Sequence, residues 1–156
     1  YHTRSLLFLG DETFKNPEYD NYYNSLPKEV QAKVTVMRRV AFKTMLLLLR
    51  GADASVYPSL AEGFGIPPLE ALAAGIPTVS SNTTAMQDYD FLDSYAFSPT
   101  DQADFERALT NVLENYAEQE FKNIKETVKK RYTWKKAAEV YKEALQQYLG
   151  NRKLSR

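Results

Sequence analysis

Short apolar runs alternate along this chain with stretches of helical period, and that alternation limits the fold more than any other feature. Leu6 to Leu9, Lys33 to Arg38 (with Val34 and Val36), Ser55 to Tyr57, Thr78 to Ser80 and Ala96-Phe97 read as strands. A short helix around Tyr19 to Ser25, a helix over Ala41 to Arg50 and another opening at Pro67-Pro68 fall between them. Strands separated by helices are the pattern of a parallel sheet with crossover connections, because parallel neighbours need a long return path. The expected fold is therefore α/β, a Rossmann-like parallel sheet, with helices alone beyond about residue 100.

Local signals set the expected boundaries. Phe42, Met45, Leu46 and Leu49 share one helical face and are expected inward, with Gly51 closing that helix in a left-handed cap. Pro67-Pro68 suits a first helical turn, where the missing N–H has no partner anyway, and Gly75 suits the end. Thr100 is the expected N-cap of a helix on which Phe105, Ala108, Leu109, Val112, Leu113 and Tyr116 follow at amphipathic spacing. A charged helix over Glu118 to Lys130 comes next, and Lys129, Lys130 and Arg131 read as a solvated face. Thr133 caps a last helix, with Trp134 expected to anchor it in the core. No internal repeat, low-complexity segment or linker interrupts the pattern. One domain over residues 1–156 is expected, with a core over about 5–100 and C-terminal helices over about 101–149.

Composition removes several functions. The 156 residues carry 20 basic and 20 acidic side chains, so no net field favours nucleic acid or an anionic membrane. There is no cysteine, which excludes disulfides, thiolate metal sites and a cysteine nucleophile. With a single histidine, His2, neither a histidine metal cluster nor a Ser-His-Asp triad can be assembled. No run approaches the roughly 18 apolar residues of a membrane span, and no secretory leader opens the sequence. A cytoplasmic location is the expectation, with peripheral membrane contact the alternative for a full-length protein.

The segment from Pro58 to Leu72 has features that a structural loop does not need. Gly63 and Gly65 flank Phe64, so backbone can approach a ligand without side-chain obstruction. They lie immediately before a helix N-terminus, where N–H groups and the dipole favour an anion. A strand before and a helix after put the turn at the carboxyl edge of the sheet, where open α/β folds bind ligands. Glu62 and Glu70 stand on either side of the turn, and a carboxylate accepts paired sugar hydroxyls well. Bland roles exist for each: Glu70 balancing the helix dipole, Glu62 a solvated loop acid, Phe64 a packing residue.

The string Glu62-Gly63-Phe64-Gly65-Ile66-Pro67-Pro68-Leu69-Glu70-Ala71-Leu72 resembles the Glu-x7-Glu motif of glycosyltransferase family 4 and its relatives of the GT-B fold. Its surroundings are similar too: Arg50-Gly51-Ala52-Asp53-Ala54 before it, Ala74-Gly75-Ile76-Pro77-Thr78-Val79 after it, then Ser81-Asn82, Pro99-Thr100-Asp101 and Tyr132-Thr133-Trp134. The likeness runs from about residue 28 to about residue 148. It implies a nucleotide-sugar-binding half of a retaining, metal-independent transferase that moves a hexose-type sugar to a glycan or lipid-linked acceptor. Glu70 would bind the ribose hydroxyls, and Glu62, the catalytic candidate, would lie beside the donor sugar. Backbone of Gly63, Phe64, Gly65 and Ile66 would meet the sugar or diphosphate, and the base would rest near Arg39 and Val40. No cofactor or metal is implied.

Such a domain is expected to start one strand–helix unit earlier, with an Arg/Lys pair on the diphosphate, and to follow an acceptor-binding domain. The chain is accordingly expected to be a fragment without transferase activity of its own. Where the family tends to place glycine, this chain has Arg38. A non-catalytic nucleotide- or partner-binding descendant and the related epimerase fold are the competing readings. Asp88-Tyr89-Asp90 formally matches the metal-holding Asp-x-Asp of the other large glycosyltransferase fold, but it follows a Ser-Asn-Thr-Thr turn instead of an apolar strand.

Overall fold

The computed structural model describes residues 4–10 and 16–154, with side chains to residue 150. The chain divides into two compact units, residues 1–48 and 49–156. In the first, β1 (Leu6–Leu9) pairs parallel with β2 (Val34–Met37), Leu6 opposite Val34. Between them run α1 (Pro17–Ser25) and a single turn, α2 (Lys28–Gln31). Asn16 starts α1 by accepting the Tyr19 N–H at 3.1 Å, which satisfies one of the orphan donors of a helix start. Tyr19 packs edge-on against Phe8 and stacks on Tyr23, whose hydroxyl donates to the Gln31 carbonyl. Tyr19 and Tyr23 are thus used inside this unit, whereas Tyr22 is exposed.

α3 (Phe42–Arg50) crosses from one unit to the next. Two expectations fail on it. Phe42 is 65% exposed instead of inward, since it starts the helix ahead of the half-buried Met45 and Leu46. Gly51 is not left-handed, because the helix closes through a tighter turn in which Ala52 N–H donates to Leu49 O.

The second unit holds a parallel sheet in the order β3 (Ser55–Tyr57), β4 (Thr78–Ser81), β5 (Ala96–Phe97). α4 (Ile66–Ala74) crosses from β3 to β4, and 3-10 turns over Thr84–Asp88 and Asp93–Tyr95 lead to β5. β4 is central and wholly buried although it reads Thr-Val-Ser-Ser. Its hydroxyls all find carbonyl acceptors: Thr78 donates to Ile76 O, Ser80 to Ser81 O and Ser81 to Ser59 O, which offsets the cost of burying them. The core gathers Leu72, Val79, Leu92 and Phe97 with Ala108 and Val112 of α5 (Gln102–Glu114). α6 (Glu118–Arg131) completes it through Phe121, Ile124 and Val128, packed on α4.

Asp101, not Thr100, caps α5: its carboxylate accepts the Asp104 N–H at 3.1 Å, while the Thr100 hydroxyl meets Ser98. Thr133 caps α7 (Trp134–Leu154) as expected, accepting from Lys136 N–H. Trp134 is no core anchor, however, and is 93% exposed. The apolar stripe through Tyr141, Leu145 and Tyr148 is exposed as well, so α7 has an amphipathic pattern without a covering layer among the described residues.

Candidate functional site

Parallel pairing puts the carboxyl ends of β3 and β4 at the same sheet edge, and the segments leaving them are laced together. Ser59 O accepts from the Ser81 hydroxyl at 2.6 Å and the Thr83 hydroxyl at 3.3 Å. Glu62 N–H donates to Thr84 Oγ1 at 2.9 Å. Thr84 holds φ at +49°, a strained value for a β-branched residue, and strain of this kind persists only where neighbours enforce it. Further along, the Tyr89 hydroxyl reaches Phe64 O at 2.5 Å and Gly65 O at 2.8 Å.

Glu62 is half-buried, and its Oε1 accepts from Tyr57 Oη at 2.7 Å and Ser59 Oγ at 2.8 Å. Both bonds stabilise the ionised form, Tyr57's more, and hold the carboxyl below the usual carboxylate range. Tyr57 responds in the opposite sense: burial first, then Glu62, push its phenol up to about 12. At neutral pH the pair is therefore a carboxylate and a neutral phenol. A depressed folded-state pKa adds stability above the unfolded value and loses it as pH falls through the folded one. Tyr57→Phe is expected to move the Glu62 titration midpoint upward, toward an ordinary glutamate, in a carboxyl-carbon NMR titration. An unmoved midpoint would mean that Ser59 alone holds the charge.

Gly65 caps α4 at φ +79°, and a Cβ there would lie 2.8 Å from Met86 Cγ and 3.1 Å from the Tyr89 hydroxyl, so glycine is required. Gly63 differs: no atom lies within 4 Å of a Cβ built on it. α4 opens at Ile66, one residue ahead of the prolines, and ends at left-handed Gly75, as the sequence suggests. Phe64 is half-exposed and meets the edge of Tyr132 at 5.9 Å. Glu70 lies in the second turn of α4 and is half-buried, and its side chain makes no hydrogen bond or ion pair among the described residues. Arg39 and Val40 follow β2 in the first unit, Arg39 with φ +52°.

The Asp-x-Asp pattern has another use. Arg131 donates to both Asp90 oxygens, at 2.5 and 3.3 Å, and its guanidinium lies over the Phe91 ring. Arg131 stays on the solvated face expected of it and is exposed, as are Lys129 and Lys130. Both partners are exposed, so water screens the pair and it adds little to stability. Asp88, Asp90, Arg131 and Tyr132 line an open depression of about 580 Å³ that includes neither Glu62 nor Glu70. Among the described residues, no three His, Cys, Asp or Glu side chains converge as a metal site.

Tyr57, Ser59 and Tyr89 escape sequence reading. A spacing count could have pointed to Ser59, three residues before Glu62; nothing local marks Tyr89, whose partners lie 24 and 25 residues away.

The second unit is thus an α/β fold whose parallel sheet carries, at its carboxyl edge, a glycine turn between two glutamates. The chain belongs to the family described as glycosyl transferases group 1, which it matches over residues 3–139. It is 33% identical over 110 residues to the O-antigen chain mannosyltransferase RfbU of Salmonella typhimurium, a stretch that is 64% of this chain and 31% of that protein. It is 30% identical over 153 residues to an uncharacterized glycosyltransferase of Methanocaldococcus jannaschii, covering 93% of this chain and 38% of that one. The serotype-specific mannosyltransferase WbdA of Escherichia coli is 36% identical over 84 residues, 53% of this chain and 10% of the other. The chain thus spans well under half the length of these relatives. Sucrose-phosphate synthase from Thermosynechococcus elongatus shares the fold, with a TM-score of 0.73 at 21% identity over 94% of this chain and 39% of that one. The α/β architecture is that of the C-terminal half of a GT-B glycosyltransferase. No described helix is long and apolar enough to cross a membrane.

Proposed function

We propose that this glycosyltransferase domain binds the nucleotide-sugar donor of a retaining transferase that moves a hexose-type sugar to a glycan or lipid-linked acceptor. The observation that carries the reading is the Glu62–Gly65–Glu70 constellation: two carboxylates on either side of a glycine-capped helix start, at the carboxyl edge of a parallel sheet. Glu62, ionised and oriented through one oxygen, accepts hydroxyls of the donor sugar and stabilises charge at the reacting centre. Glu70 receives the ribose diol. The diphosphate lies at the helix start, where amides and the dipole meet leaving-group charge without a divalent ion. The relatives' names make mannose the first sugar to try. Those relatives are much longer, which supports a second, acceptor-binding domain as a requirement for transfer.

Calorimetric titration of the chain with GDP, UDP and ADP, each with and without EDTA, tests this. One diphosphate is expected to bind, with an affinity that EDTA leaves unchanged. Binding that appears only with added magnesium or manganese would overturn the metal-independent part. No binding at millimolar nucleotide would overturn donor binding by this chain.

A further inference from the structure

The Tyr89 hydroxyl has one proton and meets two main-chain carbonyls, those of Phe64 and Gly65. Both peptide bonds are trans, and in a trans peptide C=O and N–H point in opposite directions. Holding Phe64 O and Gly65 O toward Tyr89 therefore turns the N–H groups of Gly65 and Ile66 away from it. Neither N–H donates a hydrogen bond among the described residues, and Ile66 opens α4, where an N–H has no partner within the helix. We infer that Tyr89 is a positioning residue that aims the Gly65 and Ile66 amides outward, at the diphosphate of the donor; the inference rests on the donor-site reading above.

Tyr89 is placed for this. It is 4% exposed, its ring stacks on Phe91 and meets the edge of Tyr132, and its own N–H is tied to Met86 O. Met86 fills the space beside Gly65 where a side chain would otherwise lie. The Arg131 guanidinium, paired with Asp90, lies over Phe91 of the same aromatic group. An amide pair held in place before the anion arrives loses no orientational freedom when it binds, which is how preformed donors favour an oxyanion. The middle residue of the Asp-Tyr-Asp pattern, not its acids, then serves the site.

Tyr89→Phe keeps the ring and removes only the hydroxyl. Tyr95→Phe is the control, because it removes the hydroxyl of a second buried tyrosine of the same unit, one that donates to Glu120 of α6 and not to the turn. Residual dipolar couplings of the nucleotide-free proteins report the N–H directions. In Tyr89→Phe those of Gly65 and Ile66 are expected to change while those from Leu69 to Ala74 stay; in Tyr95→Phe all stay. Affinity for whichever of GDP, UDP or ADP the wild type binds is expected to fall about tenfold in Tyr89→Phe, the worth of one weakened hydrogen bond to a charged group, and to hold in Tyr95→Phe. Unchanged Gly65 and Ile66 couplings would overturn the inference whatever the affinity does, and so would unchanged affinity in Tyr89→Phe. If the wild type binds no nucleotide, the donor-site reading fails and the couplings alone decide whether Tyr89 aims the amides.

Discussion

Gly65→Ala is expected to destabilise the chain by about 2–5 kcal/mol in denaturant unfolding and to abolish nucleotide binding. Two costs add. A residue with a Cβ held in left-handed backbone costs about 1–2 kcal/mol, and Gly65 sits at φ +79°. The new methyl also meets Met86 Cγ at 2.8 Å, and extra carbon in a filled space costs about 1–3 kcal/mol. Relief by rotation of the turn would pull Phe64 O and Gly65 O from Tyr89. Gly63→Ala is the comparison: just before Phe64, it has open space and no positive φ, so its effect should stay within about 0.5 kcal/mol. Equal losses at the two glycines would show that the turn is not held by its neighbours.

Glu70→Ala should do the reverse, leaving the fold nearly untouched while removing affinity. The side chain is half-buried with no partner of its own among the described residues, so its loss should change stability by no more than about 0.5 kcal/mol. In the donor reading it receives both ribose hydroxyls. Each such bond to a carboxylate is worth about 1.5–3 kcal/mol, so binding should weaken about a hundredfold or more. A 2′-deoxynucleotide adds specificity to the test: it should bind more weakly than its parent to the wild type but equally to Glu70→Ala, since coupled partners are not additive. If the variant keeps its affinity and loses stability, Glu70 serves the helix and not the ligand.

Much of this fold is legible in the chain, and the losses have physical causes. β3 falls where Ser-Val-Tyr is halted by proline, and Gly75 ends α4 in left-handed backbone, because these signals act within a few residues. α2 is a single turn, too short for any periodicity to announce it. Thr100 and Asp101 both suit an N-cap, and only the geometry of Ser98 and Asp104 decides between neighbours. Trp134 fails for a different reason: an amphipathic pattern says that a helix has an apolar face, not what covers it. In α6 the excess of charge hides Phe121, Ile124 and Val128, whose 3- and 4-residue spacing is that of a buried face.

The site divides in the same way. Glu62, Gly65 and Glu70 are visible because they lie close together in sequence and combine residue types that a plain loop has no use for. Their supports are not visible. Tyr57 and Ser59 hold Glu62 by side-chain geometry, and Thr84 and Tyr89 come from the segment after the next strand. The family match over residues 3–139 establishes the class of protein.

Amide chemical-shift mapping of the wild-type chain with GDP, UDP and ADP tests the donor site most directly. The account predicts that one nucleotide shifts the amides of Gly63 to Ala71, with Gly65 and Ile66 among the largest, and that the α7 amides stay still. Saturable shifts centred instead on the depression at Asp88, Asp90 and Arg131, or no shifts with any of the three, would contradict it.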